Sequence, residues 1–344
     1  MNIKNRKELR RQAAAALADN PGDPKQTSLI FALVTAGSLL FVSILSILLT
    51  VRISQTGGLG GLALRSTLTT IRQAAPLILL IGLLCLNLSR QGVAMKMARR
   101  VSVQPRTLLE GFARIGAMIR LLALYYLIIS ILHSFCEVLG NALYMLSPFS
   151  ADVIQSFFPY ANQILSGVSL ETLMEDPTFT ELIVDYSRKA APVGWALTAL
   201  VALILSYRVR MVGYCLMDDP NSGVLASVIS SNRMTRGHRF SLFLLDLGCW
   251  WFYLGLALCG VMLYGADILE YLKVSLPWDP VAVDCICHVM GCGAAGLLLH
   301  VSLNRIQTTF ALAYDSLRPK TETPKNTVIL GNIFDLAKQY KEDQ

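Results

Sequence analysis

The chain has 344 residues, 54% of them hydrophobic and 15% charged, with a mean hydropathy of +0.52. Soluble domains carry about 25% charged residues, so a water-soluble globule is excluded as the main body. The net charge of +7 does not imply nucleic acid: the basic residues cluster beside apolar runs, where they act as topology signals and as contacts for anionic lipid.

The apolar runs are roughly 20 residues long, enough to cross a bilayer. They are continuous rather than alternating, which predicts helices. The fold class expected is all-α: a polytopic membrane protein with six transmembrane helices, amphipathic cytoplasmic helices and a short helical extracytoplasmic insert. Eight cysteines lie mostly within apolar runs, as small hydrophobes rather than a disulfide framework. No cleavable signal peptide is expected, because residues 1–27 are polar.

Residues 1–27 form a basic leader, with a short helix from about Lys4 to Ala18 that Asn20, Pro21, Gly22 and Pro24 end. Leu9, Ala13, Ala16 and Leu17 share one face, so the leader either lies on the membrane surface or is a solvated topology signal. The membrane domain covers residues 28–314. Its first span is Ser28 to Val51. The Gly-rich link Thr56 to Gly61 reads as a turn, because a phosphate loop needs a preceding strand and a Lys-Ser/Thr pair. The second span is about Ala74 to Val93. The third is about Ile115 to Leu132, with an extension to Leu146.

Residues 147–189 make the extracytoplasmic insert, rich in acids. Short helices are expected there, one starting at Asp176-Pro177 with Asp as N-cap. The fourth span is about Pro192 to Val209. A connector at 210–239 follows, with a helix starting near Asp219-Pro220-Asn221-Ser222 and stopped by Gly237. The fifth span is Phe240 to about Tyr264, the sixth Val281 to Leu303, and residues 315–344 are a basic cytoplasmic tail. No span shows a central Pro/Gly break.

Orientation follows from Lys and Arg beside the spans. The leader, the link after span two, the connector and the tail hold 22, the three opposite links six. The positive-inside rule places both termini in the cytoplasm, as an even number of spans requires.

Charged groups inside a span are costly and mark pairs or pathways. Arg120 and Asp246 enter the third and fifth spans to similar depth, so they are expected to pair structurally or to line a substrate path. His133 and Glu137 share a face at i, i+4. Cys285, His288 and Cys292 also share a helical face, where sulfur and imidazole could hold zinc or Cu(I). Close helix packing through Gly291, Gly293 and Gly296 explains the same string, and so does a disulfide among Cys285, Cys287 and Cys292. No hydrolase elbow, Walker loop, His-Glu-x-x-His or dinucleotide fingerprint occurs. No catalytic residue is assigned, no cofactor is expected, and a conventional membrane enzyme is hard to build.

The connector SYRVRMVGYCLMDDPNSGVLASVISSNRMTRGHRFSLFLLDLGCWW (206–251) closely resembles the signature of the bacterial membrane family called domain of unknown function 975. NRKELRRQAAAALADN resembles its leader, LLEGFARIGAMIRLLALYYL its middle segment and TTFALAYDSLR its closing segment. The resemblance covers most of the chain outside 147–189 and implies a plasma-membrane protein with no established activity. It directs attention to Tyr207, Arg208, Asp219, Pro220, Arg236, Gly237 and His238 of the connector.

Two functions remain. One is a non-enzymatic membrane component acting through lipid or through a protein partner at the connector, which predicts packed spans and an exposed apolar connector face. The other is a transporter of a small or lipid-like substrate, which predicts a polar mid-depth cavity lined by Arg120, Asp246, Asn87 or His300.

Overall fold

The computed structural model describes residues 5–55, 62–219, 221–272 and 277–318. The Gly-rich link 56–61, Pro220 and most of the basic tail lie outside these. Helices α1 (Arg6–Ala18), α2 (Pro24–Gln55), α3 (Leu62–Ala98) and α4 (Ile115–Met145) come first. The insert supplies α5 (Ala151–Leu165) and α6 (Leu170–Met174), and α7 is Pro177–Val209. The connector forms α8 (Val212–Asp218) and α9 (Val224–Thr235). Then come α10 (Arg239–Leu247), α11 (Trp250–Leu263), α12 (Gly265–Tyr271) and α13 (Pro280–Leu317). No strand occurs among the described residues. Five helices are long and apolar enough to cross a membrane, and α10 with α11 makes a sixth span bent by 61°.

Several boundaries differ from those read in the sequence. The fourth span does not start at Pro192: α7 begins in the insert, where Asp176 caps it by accepting from the Thr178 amide at 2.9 Å. That cap is the expected one, but the helix then runs on through Pro192. Helix α13 continues to Leu317, past the expected end at Leu303. The connector helix starts at Val224 rather than Asp219, because Asp219 folds into a turn, its side chain accepting from the Asn221 amide. Gly237 stops the connector with φ +84°, a conformation that favours glycine.

The helices form two groups. Helices α4 and α7 pair closely, while α13 gathers α2, α3, α11 and α1. The α4–α7 pair closes because Gly140 faces Gly194: a Cβ on Gly140 would sit 2.6 Å from the Gly194 nitrogen. Small residues let spans approach this way. Gly140→Ala is therefore expected to cost about 2 kcal/mol, the scale of overpacking, whereas Gly260→Ala, with open space around it, is expected to be neutral. Equilibrium unfolding of both variants in mild detergent checks this.

Along the spans, large apolar side chains such as Phe41, Ile78, Ile131 and Leu297 point outward, as lipid-facing surface does. The protein's own core lies at the basic end of the bundle. Leu9 of α1, Met97 of α3, Met211 and Tyr214 by α8, Leu242 and Leu245 of α10, and Phe310 and Tyr314 of α13 are buried together there. The apolar face of the leader is thus covered by the protein's own helices. Leu9, Ala13, Ala16 and Leu17 are the apolar face read in the sequence; the first three are buried and Leu17 partly so, and the face packs on α13 and α3.

Candidate functional site

The fifth span breaks at Gly248 and Cys249, a correction to the unbroken helix expected. A break leaves carbonyls at the end of α10 without helical partners. The leader reaches them: Arg10 Nη2 donates to the Leu245 carbonyl at 3.1 Å, and Arg6 Nη1 donates at 3.4 Å to the Leu244 carbonyl, which also keeps the Gly248 amide at 3.3 Å. Cations also suit the negative end of a helix dipole. Gly248 leaves room for this contact: a Cβ there would displace the Arg10 guanidinium.

Asp246 sits at this break, 6% exposed. Its Oδ1 accepts from Arg210 Nη2 at 2.7 Å and from the Tyr253 hydroxyl at 2.6 Å; its Oδ2 accepts from the Tyr207 hydroxyl at 3.0 Å. The Arg210 guanidinium lies 4.6 Å from the Phe310 ring centre, a favourable cation–π arrangement. Arg120, the partner expected from depth alone, is elsewhere. It is exposed on α4, its Nε donating to the Gly116 carbonyl. Depth does not decide neighbours: α4 packs on α7, and the end of α7 presents Tyr207 and Arg210 to α10. A carboxylate held by three donors works as a latch joining α7, α10 and α11.

Arg90 lies three residues before the end of the second span expected at Val93. It is 1% exposed, over the Phe31 ring, and donates to Ser28 and Asn304. Its Nη1 has no hydrogen-bond partner among the described residues. Below it, Arg99 binds Asp218 at 2.8 Å and Asp315 at 2.6 Å, and Asp218 also accepts from Arg318 at 2.8 Å and Tyr314 at 2.9 Å. The hydrogen bond to Asp315 first, then that to Asp218, hold Arg99 even more firmly protonated than usual. This clamp ties the ends of α3, α8 and α13. Its carboxylate is Asp218, the neighbour of the Asp219 that the sequence singled out.

Two cavities flank the connector helix α9. The first, of about 590 Å³, opens between α3 and the α4–α7 pair. Leu84, Leu121, Ile128 and Ala202 give it apolar walls, and Asn87, Gln91, Arg208 and Asn232 its polar groups. The Gln91 Oε1 is buried without a partner among the described residues. The second, of about 560 Å³, lies on the other side of α9 and includes Arg236 and His238. Of the four residues expected to line a transport path, only Asn87 reaches the first cavity; Arg120, Asp246 and His300 do not. The exposed apolar face expected of the connector is present at Leu225 and Ile229.

The other sequence candidates do not converge. His133 Nδ1 meets Thr198 Oγ1 at 3.1 Å, and its ring tilts against Trp195. His288 contacts only its own turn, at Asp284. Cys285, His288 and Cys292 therefore do not make the metal site that their spacing allowed: among the described residues no three His, Cys, Asp or Glu are grouped to hold a metal. All eight cysteines are free thiols, which also removes the disulfide reading. Close packing holds at two of the three glycines named: a Cβ on Gly291 would strike Leu263 of α11 and one on Gly296 would crowd Ala36 of α2, whereas Gly293 has open space around it.

The model of the family described as "Protein of unknown function (DUF975)" matches residues 1–277. The chain belongs to the DUF975 family. No curated protein and no solved structure matches. The DUF975 match runs through the insert at 147–189, which the resemblance read in the sequence left out, and stops before the closing segment TTFALAYDSLR. The leader, α9 and Asp246 all lie within it. Arg318 and Tyr314, which complete the clamp, come from α13 beyond it.

Proposed function

We propose that the protein is a non-enzymatic plasma-membrane component that binds membrane lipid in the cavity between α3 and the α4–α7 pair. The observation that carries this is the cavity's composition: walls made apolar by Leu84, Leu121, Ile128 and Ala202, together with Arg208, Asn232 and the unpartnered Gln91 Oε1. Binding pockets combine an apolar lining with a few polar groups that fix orientation in this manner. The basic end then faces the cytoplasm, where anionic lipids concentrate and attract Lys and Arg. Both termini lie on that side, in keeping with the distribution of basic residues. A protein partner would engage the neighbouring Leu225 and Ile229.

A transporter is the second reading, favoured by the 61° break in the fifth span, since discontinuous helices recur in transporters. In that reading Asp246 acts with Arg210, not Arg120.

Native mass spectrometry of the full chain in mild detergent separates the two. A retained lipid is expected, and Ala202→Trp, which fills the cavity, is expected to remove it. Asp246→Asn leaves the lipid in place under the first reading and releases it under the second. Lipid retained equally in Ala202→Trp would overturn the cavity as its site.

A further inference from the structure

The second cavity is separate from the lipid-binding one, with α9 as the wall between them. Val228, Ile229 and Asn232 face the first; Ser227, Ser230, Arg233 and Met234 face the second. Ser222, Arg236 and His238 extend the polar wall, and Arg318 of α13 closes it from the opposite side. At about 560 Å³ the space suits a small organic molecule rather than a bare ion.

Its charge is unevenly committed. Asp218 is satisfied by Arg99, Arg318 and Tyr314, and Arg99 also answers Asp315. Asp219, also on the wall, accepts from the Asn221 amide and pairs with no cation among the described residues. Arg233 and Arg236 pair with no carboxylate among the described residues. Two arginines thus face one uncompensated carboxylate, a net positive charge beside a row of serine hydroxyls. Guanidinium forks and hydroxyls together match the oxygens of a phosphate ester.

We infer that this cavity binds a phosphate ester through Arg233 and Arg236, with Ser227 and Ser230 as further donors. The ester comes either from a soluble phosphorylated metabolite or from a lipid headgroup, and the inference does not depend on the lipid reading of the first cavity.

The test uses the full chain. Isothermal titration in neutral detergent with glycerol phosphate probes the soluble source. Native mass spectrometry from phosphatidylcholine nanodiscs containing phosphatidic acid probes the headgroup. Saturable binding of one probe is expected, weakened about tenfold or more in Arg233→Gln/Arg236→Gln, the effect of losing charge-assisted hydrogen bonds. Ser230→Trp, which blocks the slot and keeps the charge, is expected to weaken it equally, and Ala202→Trp to leave it unchanged. Both arginines are exposed and hold no other element, so the double variant should melt like the unmodified chain. Glycerol phosphate binding assigns a soluble ligand; arginine-dependent retention of phosphatidic acid alone assigns a headgroup. Binding of neither probe, or equal binding by the double variant, overturns the inference.

Discussion

Asp246→Leu is expected to lower stability by about 3 kcal/mol, the lower end of the cost of stranding one member of a buried ion pair. The lower end applies because the Arg210 side chain keeps 35% exposure, against 9% for Asp246, and solvent screens what it loses. Tyr207 and Tyr253 lose their acceptor in the same variant. Asp246→Leu combined with Arg210→Met should recover most of the loss, because a matched apolar pair leaves no buried charge. Arg120→Leu should change stability by no more than about 0.5 kcal/mol, as an exposed surface substitution does. Equilibrium unfolding of these variants, of Arg120→Leu combined with Asp246→Leu and of the unmodified chain, in mild detergent, decides the matter. A large effect of Arg120→Leu, rescued by Asp246→Leu, would restore the pairing expected from depth.

Leu9→Ala is expected to cost about 3 kcal/mol, within the range for emptying a fully buried leucine site. Leu9 is 0% exposed and packs in the core at the basic end. The loss should show first as undocking of α1, because a terminal helix opens more cheaply than the bundle. Undocking takes Arg6 and Arg10 away from the carbonyls of Leu244 and Leu245. Amide hydrogen exchange should then speed up in α1 and at the α10–α11 junction together. Faster exchange in α1 with the junction unmoved would show that the arginines do not hold the break.

The spans were legible because a bilayer leaves the backbone few choices, so long apolar runs had to become helices. The fate of the leader was not. Leu9, Ala13 and Ala16 make the same stripe whether lipid or α13 covers it, and composition does not distinguish the two. The break was marked only by Gly248, and single glycines are common in intact spans. Asp246 stands out in the sequence as an acid inside a span, but equal depth points to Arg120 rather than to the Arg210 it meets. Arg210 was counted instead as a topology signal at the connector's start. Lateral neighbourhood, the pairing of α4 with α7, is the information a linear reading lacked. Arg90 was passed over for a similar reason: at a span end a cation usually reaches water, and only packing shows that Phe31, Ser28 and Asn304 enclose it.

The docking of α1 on α13 sets an order of events during translation. Helix α1 is made before any span it later packs against, and its seat is complete only once the chain through Leu317 has been inserted. For that whole interval the stripe of Leu9, Ala13 and Ala16 lacks the cover that α13 gives it in the folded protein. An element made before every span it touches thus reaches its place only after α13.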